Sequence, residues 1–179
     1  MSRSTNTTKF AINGLTETLE IFKLLENEIG DKDARSKILI PAVRQVMKPV
    51  LAKAKSLVPS DTGMLKQSLT ITARRPTRND KRSIYVSKSD SVIAMVTTKP
   101  IPKKLKKQTA GMKRKDAKKV YASKGLIYDG RAIANEFGTA KMAAQPFMRT
   151  SLESQATIVS ASLGEVLRQK IEQYRGKTK

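Results

Sequence analysis

The sequence predicts an α+β fold in which a small, mostly antiparallel sheet is packed by two N-terminal helices and a long C-terminal helix. Two periodicities of the apolar residues predict this fold. Near both ends of the chain these residues recur every three or four positions, which is the spacing of an amphipathic helix. In the middle they alternate with polar residues, which is the spacing of a strand with one buried face. We therefore expect the order helix, helix, three strands, a basic projecting arm, a fourth element and a helix.

The length of 179 residues predicts a single domain, residues 1–179, because ~100 to 200 residues per domain is usual. We expect a folded core over 10–98 and 126–175, with the basic arm over 99–125 inserted between its two parts. The chain contains no internal repeat.

The first helix is predicted over residues 13–29, whose apolar residues fall on one face. Gly30 is its expected stop. The second helix is predicted to begin with Asp33 as its N-cap and to carry one apolar stripe to Val58.

Three prolines shape the second helix. Pro41 and Pro49 lie inside the apolar stripe, where a proline removes a backbone hydrogen bond and kinks the helix. We expect a bend near Pro49 and allow a later helix start at Pro41. Pro59 ends the helix, because the residue before a proline is pushed out of the α region.

Three strands are predicted: Leu69 to Arg74 from the alternation of apolar and polar residues, Ile84 to Ser87 as a short strand after turn residues, and Val92 to Thr98. The third strand is apolar on both faces. Such a strand lies in the centre of a sheet, or its outer face is covered by another subunit.

The region after the arm is predicted less completely. Residues 126–137 have a core-like composition, but their pattern does not distinguish a strand from a short helix. Gly138 and Thr139 are expected to turn the chain. A last helix is expected to begin near Pro146 and to run almost to the C-terminus.

Positive charge is concentrated in the arm. The chain has 36 Lys and Arg against 15 Asp and Glu, a net charge of +21, and residues 99–124 carry eleven of these cations against Asp116 alone. Like charges at this density repel, so we expect the arm to be extended or mobile, in the manner of a long hairpin, and to contribute nothing to a core.

The arm has three open interpretations: contact with an acidic protein neighbour, sequence-neutral contact with DNA phosphates, and a solvated loop with no ligand. Only Tyr121 is available for stacking within it, so a positive arm would read phosphates rather than bases. Its candidate contact residues are Lys103, Lys104, Lys106, Lys107, Lys113, Arg114, Lys115, Lys118 and Lys119.

Several classes of protein are disfavoured by composition. Cys and His are absent, so disulfides, zinc fingers, haem ligation and thiolate or imidazole catalysis are excluded. We expect no cofactor, no bound metal and no catalytic activity, because Asp61, Asp129 and Glu136 show no spacing that pairs two carboxylates. No apolar run reaches the ~20 residues of a membrane span, and the polar N-terminus lacks a signal peptide, which predicts a cytosolic product.

Two local strings are more specific than the composition. The first runs from Pro59 to Leu69 between a helix and a strand, and the second is Glu136-Phe137-Gly138-Thr139 followed by Gln145-Pro146-Phe147-Met148. In this order and spacing they resemble the tail-component family of lambdoid long-tailed bacteriophages, also called tail-completion or neck proteins. The resemblance covers residues 14–98 and 126–170. The residues that carry it are Pro59, Asp61, Thr62, Gly63, Leu65, Ser68, Glu136, Phe137, Gly138, Thr139, Gln145, Pro146 and Phe147.

The resemblance implies a virion structural protein that oligomerises into a ring, with hexamer-related symmetry, where the tail joins the head. Its implied partners are its own copies, neighbouring neck and tail proteins and the genomic DNA, with no membrane. Its implied location is the virion, after assembly in the host cytoplasm. The alternative is a sequence-neutral nucleic-acid-binding protein that uses the basic arm.

Single residues of these strings also allow more than one role. Asp61 as a base or Thr62 as a nucleophile is disfavoured, because turn chemistry accounts for both. Glu136 is either a buried functional carboxylate, paired with Arg131 or with a neighbouring subunit, or a surface or capping residue. Phe137 and Phe147 are expected to be core anchors.

Overall fold

A computed structural model of the chain describes residues 15–59, 63–84, 86–127 and 130–177. It confirms the α+β class, with N-terminal helices, a two-stranded antiparallel sheet and a long C-terminal helix. The helices are α1 (Leu15–Ile29), α2 (Asp31–Ala34), α3 (Ile40–Val46), α4 (Lys48–Leu57), α5 (Met64–Ser68), α6 (Lys103–Gln108), α7 (Arg114–Ser123), α8 (Gly130–Phe137) and α9 (Met148–Lys177). The strands are β1 (Leu69–Arg74) and β2 (Ile93–Thr98), and the shorter turns are a π-helical stretch (Arg35–Leu39) and a 3-10 turn (Asp80–Arg82).

The described residues divide into two compact units, each with its own apolar core. The first unit contains the described residues up to Val46 and those from Thr157, and the second contains Met47–Ala156. Contacts within each unit define this division, and the single domain stays a prediction.

The first unit is built from α1, the helices that follow it and the C-terminal part of α9. Phe22 and Leu25 of α1 pack with Ile38, Leu167 and Ile171, all of them buried. The three- and four-residue spacings within α1 and α9 place these side chains on one face of each helix. The first and last predicted helices are therefore confirmed in the described residues; positions 13 and 14 lie outside them.

The start of the second helix differs from the prediction. Gly30 separates α1 from α2, as expected, but α2 already begins at Asp31, so Asp33 is not its N-cap. Asp33 lies inside the helix, where its carboxylate accepts a hydrogen bond of 2.8 Å from Lys37 Nζ. The four-residue spacing of this ion pair on one helical face explains the acidic residue at that position.

The prolines interrupt the helix close to where they were predicted to. Pro41 lies in the first turn of α3, directly after the π-helical stretch. Pro49 is the second residue of α4, and the helix is broken at Met47 before it. The first turn of α4 tolerates Pro49, because the N–H that a proline lacks has no intrahelical partner there. Pro41 instead follows the π-helical stretch inside a continuous helical run. Val58 is extended before Pro59, which confirms the predicted end.

The sheet has two strands in the described residues. β1 and β2 are antiparallel, with Ile71 opposite Val96 and Ala73 opposite Ala94. The helix α4 packs against both strands, and Leu69 and Val96 join the core of the second unit. Two of the three predicted strands are thus confirmed. The central position for β2 is wrong, since it pairs with β1 alone in this part of the chain, and coverage by another subunit stays a prediction.

The strand predicted over 84–87 is wrong for its described residues. Ile84 is 92% exposed, so its side chain has no core to join. The loop before it is instead folded by Asp80, whose carboxylate accepts hydrogen bonds of 2.6 Å from Arg74 Nη1 and from the Thr77 N–H. These bonds favour turns over an extended strand.

The basic segment is helical, contrary to the expectation of an extended arm without a core. Helices α6 and α7 pack through Leu105, Ala117 and Tyr121, and Leu126 joins them from the chain after α7; all four residues are buried. The Tyr121 hydroxyl and Thr109 Oγ1 are hydrogen-bonded inside this small core. The packing of these four side chains outweighs the repulsion between the lysines, because the lysines point to solvent. We call residues 103–123 the basic helical hairpin.

The element after the hairpin is the helix α8, which settles the choice that the sequence left open. Leu126 and Ile127 are buried just before it, and Ala132 packs into the second core. The residues between Ile127 and Gly130 lie outside the described part of the chain.

Candidate functional site

The first sequence string forms the junction between α4, α5 and β1. Gly63 precedes α5 with φ 65°, the left-handed conformation that the predicted turn requires of a glycine. Leu65 is buried in the core of the second unit, and buried Ser68 donates from Oγ to the Leu65 carbonyl at 2.7 Å. Ser60, Asp61 and Thr62 lie outside the described residues.

The second string is organised around the buried carboxylate of Glu136, which is 4% exposed. Its Oε2 accepts hydrogen bonds from the N–H groups of Phe147 and Met148, both at 2.9 Å. Its Oε1 accepts from the N–H and the Nε of Arg149, both at 3.0 Å. A side chain of α8 therefore caps the first turn of α9, where backbone N–H groups have no intrahelical acceptor.

The electrostatics of Glu136 follow from these contacts. Burial raises the pKa of the Glu136 carboxyl, whereas the hydrogen bonds from Met148, Arg149 and Phe147 lower it, and the net pKa lies below its ordinary value. Both oxygens are already occupied by donors, so the group is poorly placed to accept a proton. This is the capping role that the sequence allowed, and the charged partner is Arg149 rather than the suggested Arg131.

The turn after α8 requires Gly138. Its φ is 75°, and a Cβ at this position would lie 2.9 Å from both the Ala144 nitrogen and the Met142 carbonyl oxygen. Thr139 and Met142 exchange backbone hydrogen bonds across this turn, which confirms the predicted reversal of the chain. Both the backbone conformation and the available space exclude a larger residue.

The end of the string fixes the start of α9. The Gln145 N–H donates to the Asn135 carbonyl at 2.7 Å, which ties the returning chain to α8. Pro146 is exposed, and Phe147 is 1% exposed in the core of the second unit, as predicted for a core anchor.

The structure brings the two strings together. A cavity of about 350 Å³ is lined by Pro59, Gly63 and Leu65 from the first string and by Met142 and Gln145 beside the second. The strings are more than 60 positions apart in the sequence, so their common role is to join α5, α8 and α9 in one local structure.

Phe137 differs from the prediction of a core anchor. It is 65% exposed, and the guanidinium carbon of Arg149 lies 5.0 Å from the centre of its ring. Ile133, one turn earlier on α8, is 57% exposed. A cavity of about 340 Å³ connects these two side chains with Val96 and Pro100. We call these four residues the α8–β2 apolar face, which sequence periodicity missed because it gave no direction for α8.

The candidate contact residues of the basic segment all lie on the basic helical hairpin or at its connecting turn. Each of the nine is exposed, while the buried side chains hold the two helices together. The hairpin therefore presents its cations to the outside on a folded support.

No helix in the described ranges combines the length and apolar character needed to cross a membrane. The comparison with protein families gives a positive result. A protein-family model described as "Bacteriophage HK97-gp10, putative tail-component" matches residues 25–124, more than half of the chain. The chain belongs to this family.

Membership in the HK97-gp10-like family confirms the resemblance inferred from the two strings. The matched range includes the first string and the basic segment, which the resemblance had left out, and it ends before Glu136. The family is one of phage tail components, which supports a structural protein of the virion that meets other tail proteins. No curated protein and no solved structure matches the chain.

Proposed function

We propose that this protein is a neck or tail-completion subunit of a tailed phage, whose copies form a ring that joins the tail to the head. In this role it is a building block without catalytic activity, and it assembles in the host cytoplasm before entering the virion. The family membership supports the general role in the tail. The α8–β2 apolar face supports the assembly of several copies.

The α8–β2 apolar face is the observation that carries the proposal. Ile133 and Phe137 are separated by four residues, so they project from the same side of α8. More than half of each side chain is exposed, and both border one apolar groove with Val96. Contiguous apolar surface of this kind marks an interaction site in soluble proteins.

The β2 strand adds a second feature beside this face. Within the described residues, one edge of β2 pairs with β1 and the other has no neighbouring strand. A free edge presents backbone donors and acceptors that a strand from another chain can use. Ile93 and Met95 are half-buried on the sheet face opposite Val96, and a strand that pairs with this edge would lie beside them.

Charge determines what the assembly must contain. A net charge of +21 makes identical copies repel, so the ring needs acidic surfaces, neighbouring proteins or DNA to offset it. A ring whose positive residues face the passing genome meets this requirement. Contacts between two different surfaces of successive copies generate rings when the rotation closes.

The test is native mass spectrometry of the full chain and of the variants Ile133→Ser and Phe137→Ser. We expect the unmodified protein to form closed oligomers of one size, and each variant to shift the population towards monomers. Only a minority of interface residues, clustered near the centre, cost more than about 1 kcal/mol when they are truncated, so a clear shift would place these two residues among them. The matched control is Ile84→Ser, because Ile84 is even more exposed and lies outside the α8–β2 apolar face.

The proposal requires that the control keeps the oligomers. A protein that remains monomeric at all concentrations, alone and with purified tails, would contradict the ring. Equal loss of oligomers in the control would show that exposed apolar residues act non-specifically.

The second candidate function is sequence-neutral binding of nucleic acid by the basic helical hairpin. The observation that favours it is the exposure of nine cations, eight on the two short helices and Lys113 at the turn between them. Binding would then weaken steeply with salt, with a slope of about −0.9 for each phosphate neutralised. Fluorescence anisotropy with duplexes of unrelated sequence tests this function, and weak binding to every duplex at low salt would reject it.

A further inference from the structure

A cavity of the second unit lies between α7 and α8 and has a mixed lining. Its volume is about 530 Å³, within the range of sites that hold a ligand or a partner's side chains. Met64, Leu126 and Ile127 provide an apolar floor. We call it the α7–α8 cavity; it is separate from the α8–β2 apolar face.

The charged residues around the α7–α8 cavity are all cations among its described lining residues: Arg114, Lys118, Lys119 and Arg131. Lys118 and Lys119 are exposed on α7. Bare phosphate groups would satisfy such a rim but would leave the apolar floor in contact with water. The combination of an apolar floor and a cationic rim instead fits a segment that carries both apolar and acidic side chains.

The outward face of α1 has this character. Glu20, Leu24 and Glu28 follow at four-residue steps, so they lie along one side of the helix. Leu24 is 61% exposed, while Phe22 and Leu25 on the opposite side are buried in the first unit. An apolar side chain thus stands between two carboxylates on the free surface of the helix.

The composition of α1 contrasts with that of the whole chain. The helix contains four glutamates and one lysine, in a protein whose net charge is +21. Local negative charge on a strongly basic protein is the arrangement that lets identical copies attract each other at one surface.

We propose that the outward face of α1 docks into the α7–α8 cavity of a second copy, with Leu24 on the apolar floor and its two flanking glutamates against Lys118 and Lys119. This inference rests on the proposed ring and names one of its contacts. The two surfaces differ and belong to different parts of the chain, so each copy has one of each. Such a head-to-tail contact continues from copy to copy, and it gives a ring when the rotation between successive copies closes.

A charge exchange tests this contact. The variant K118E/K119E reverses the rim, and the variant E20K/E28K reverses the helix face. Each alone should weaken association roughly tenfold or more, because two attractions become repulsions. The two pairs combined in one chain should restore association towards the level of the unmodified protein. Native mass spectrometry at several protein concentrations measures the oligomer populations, and circular dichroism checks that each variant is folded.

A mixture of the two reversed variants gives an independent readout. The unmodified cavity of E20K/E28K can bind the unmodified α1 of K118E/K119E. In the opposite pairing, the negative cavity of K118E/K119E meets the positive α1 of E20K/E28K. Since the two reversed surfaces are also complementary, mixed oligomers should form at protein concentrations at which each variant alone associates only weakly. The matched control is K103E/K104E, which changes the net charge equally on α6, outside the cavity lining. The apolar part is tested by Leu24→Asn against Leu152→Asn, since Leu152 is 49% exposed on α9.

The outcomes separate this contact from the proposed function. Rings that persist in both reversed variants would overturn the docking of α1 and leave the ring intact. A monomeric unmodified protein would overturn both. Loss of association in K103E/K104E to the same extent, or no recovery in the combined variant, would show a general charge effect and reject the contact. Loss of binding to other tail proteins without a change in self-association would reject a second copy as the occupant.

Discussion

Replacement of Glu136 by Ala should destabilise the second unit by about 3 kcal/mol. The carboxylate accepts from three backbone N–H groups and one guanidinium N–H at the start of α9. A lost helix cap costs about 0.5 to 2 kcal/mol, and a buried donor left without an acceptor costs about 1 to 3 kcal/mol. Only the Phe147 N–H lies in a fully buried bond, so the costs do not add over all four donors.

The assay is thermal and urea unfolding followed by circular dichroism. A loss of this size lowers the melting temperature by about 6 to 12 °C, since ~2 to 4 °C per kcal/mol is usual at this length. The variant Glu136→Gln should lose about half as much, because its amide oxygen replaces only one of the two carboxylate oxygens. The control is Glu153→Gln on the exposed surface of α9, with an expected change below about 0.5 kcal/mol.

The pH dependence of this effect follows from the lowered pKa of Glu136. A group whose folded pKa is lowered stabilises the protein above its unfolded pKa, and this stabilisation is lost as the pH falls through the folded pKa. The difference between the unmodified protein and Glu136→Gln should therefore be full at neutral pH and shrink below about pH 4.5. A Glu136→Ala variant that unfolds within about 0.5 kcal/mol of the unmodified protein would refute the capping role.

Three further predictions concern separate parts of the second unit. Gly138→Ala should lower the free energy of unfolding, measured in urea, by at least about 2 kcal/mol, because it adds backbone strain and a clash with two backbone atoms. Tyr121→Phe removes the hydroxyl bonded to Thr109 and should cost about 1 kcal/mol; hydrogen exchange should show the faster amides confined to the basic helical hairpin. Asp80→Asn weakens the pairing with Arg74 and should lower the urea midpoint slightly at neutral pH. The hydrogen bonds from Arg74 and Thr77 hold the pKa of Asp80 well below its ordinary value, so this difference in midpoint should disappear only in strong acid.

The elements that the sequence predicted well are those with a long, regular apolar pattern. In α1 and α9 the pattern extends over several turns, in β1 the apolar residues alternate with polar ones, and β2 is a short continuous apolar run. The prolines were equally informative, because their effect on a helix is local and does not depend on the rest of the fold.

The errors arise where few apolar residues or a distant partner decide the structure. In the basic helical hairpin, Leu105, Ala117 and Tyr121 form a core that is hidden among many lysines, so charge outweighed them in the prediction. Ile84 belongs to a loop whose turns are held by hydrogen bonds to Asp80, and Asp80 lies outside the predicted strand.

In the candidate site, too, local roles were predictable and distant partners were not. Gly63, Gly138 and Glu136 were singled out from the sequence, and the structure gives each a local reason. The identity of the charged partner was not predictable, because Arg149 approaches Glu136 only when α9 folds against α8. The exposure of Phe137 likewise depends on how α8 lies in the unit.

Electron microscopy of phage particles made without this protein tests its role in the virion most directly. The account predicts filled heads and separate, unjoined tails, and it predicts that the unmodified protein supplied in trans restores complete particles while Phe137→Ser does not. Complete, infectious particles formed in its absence would contradict it.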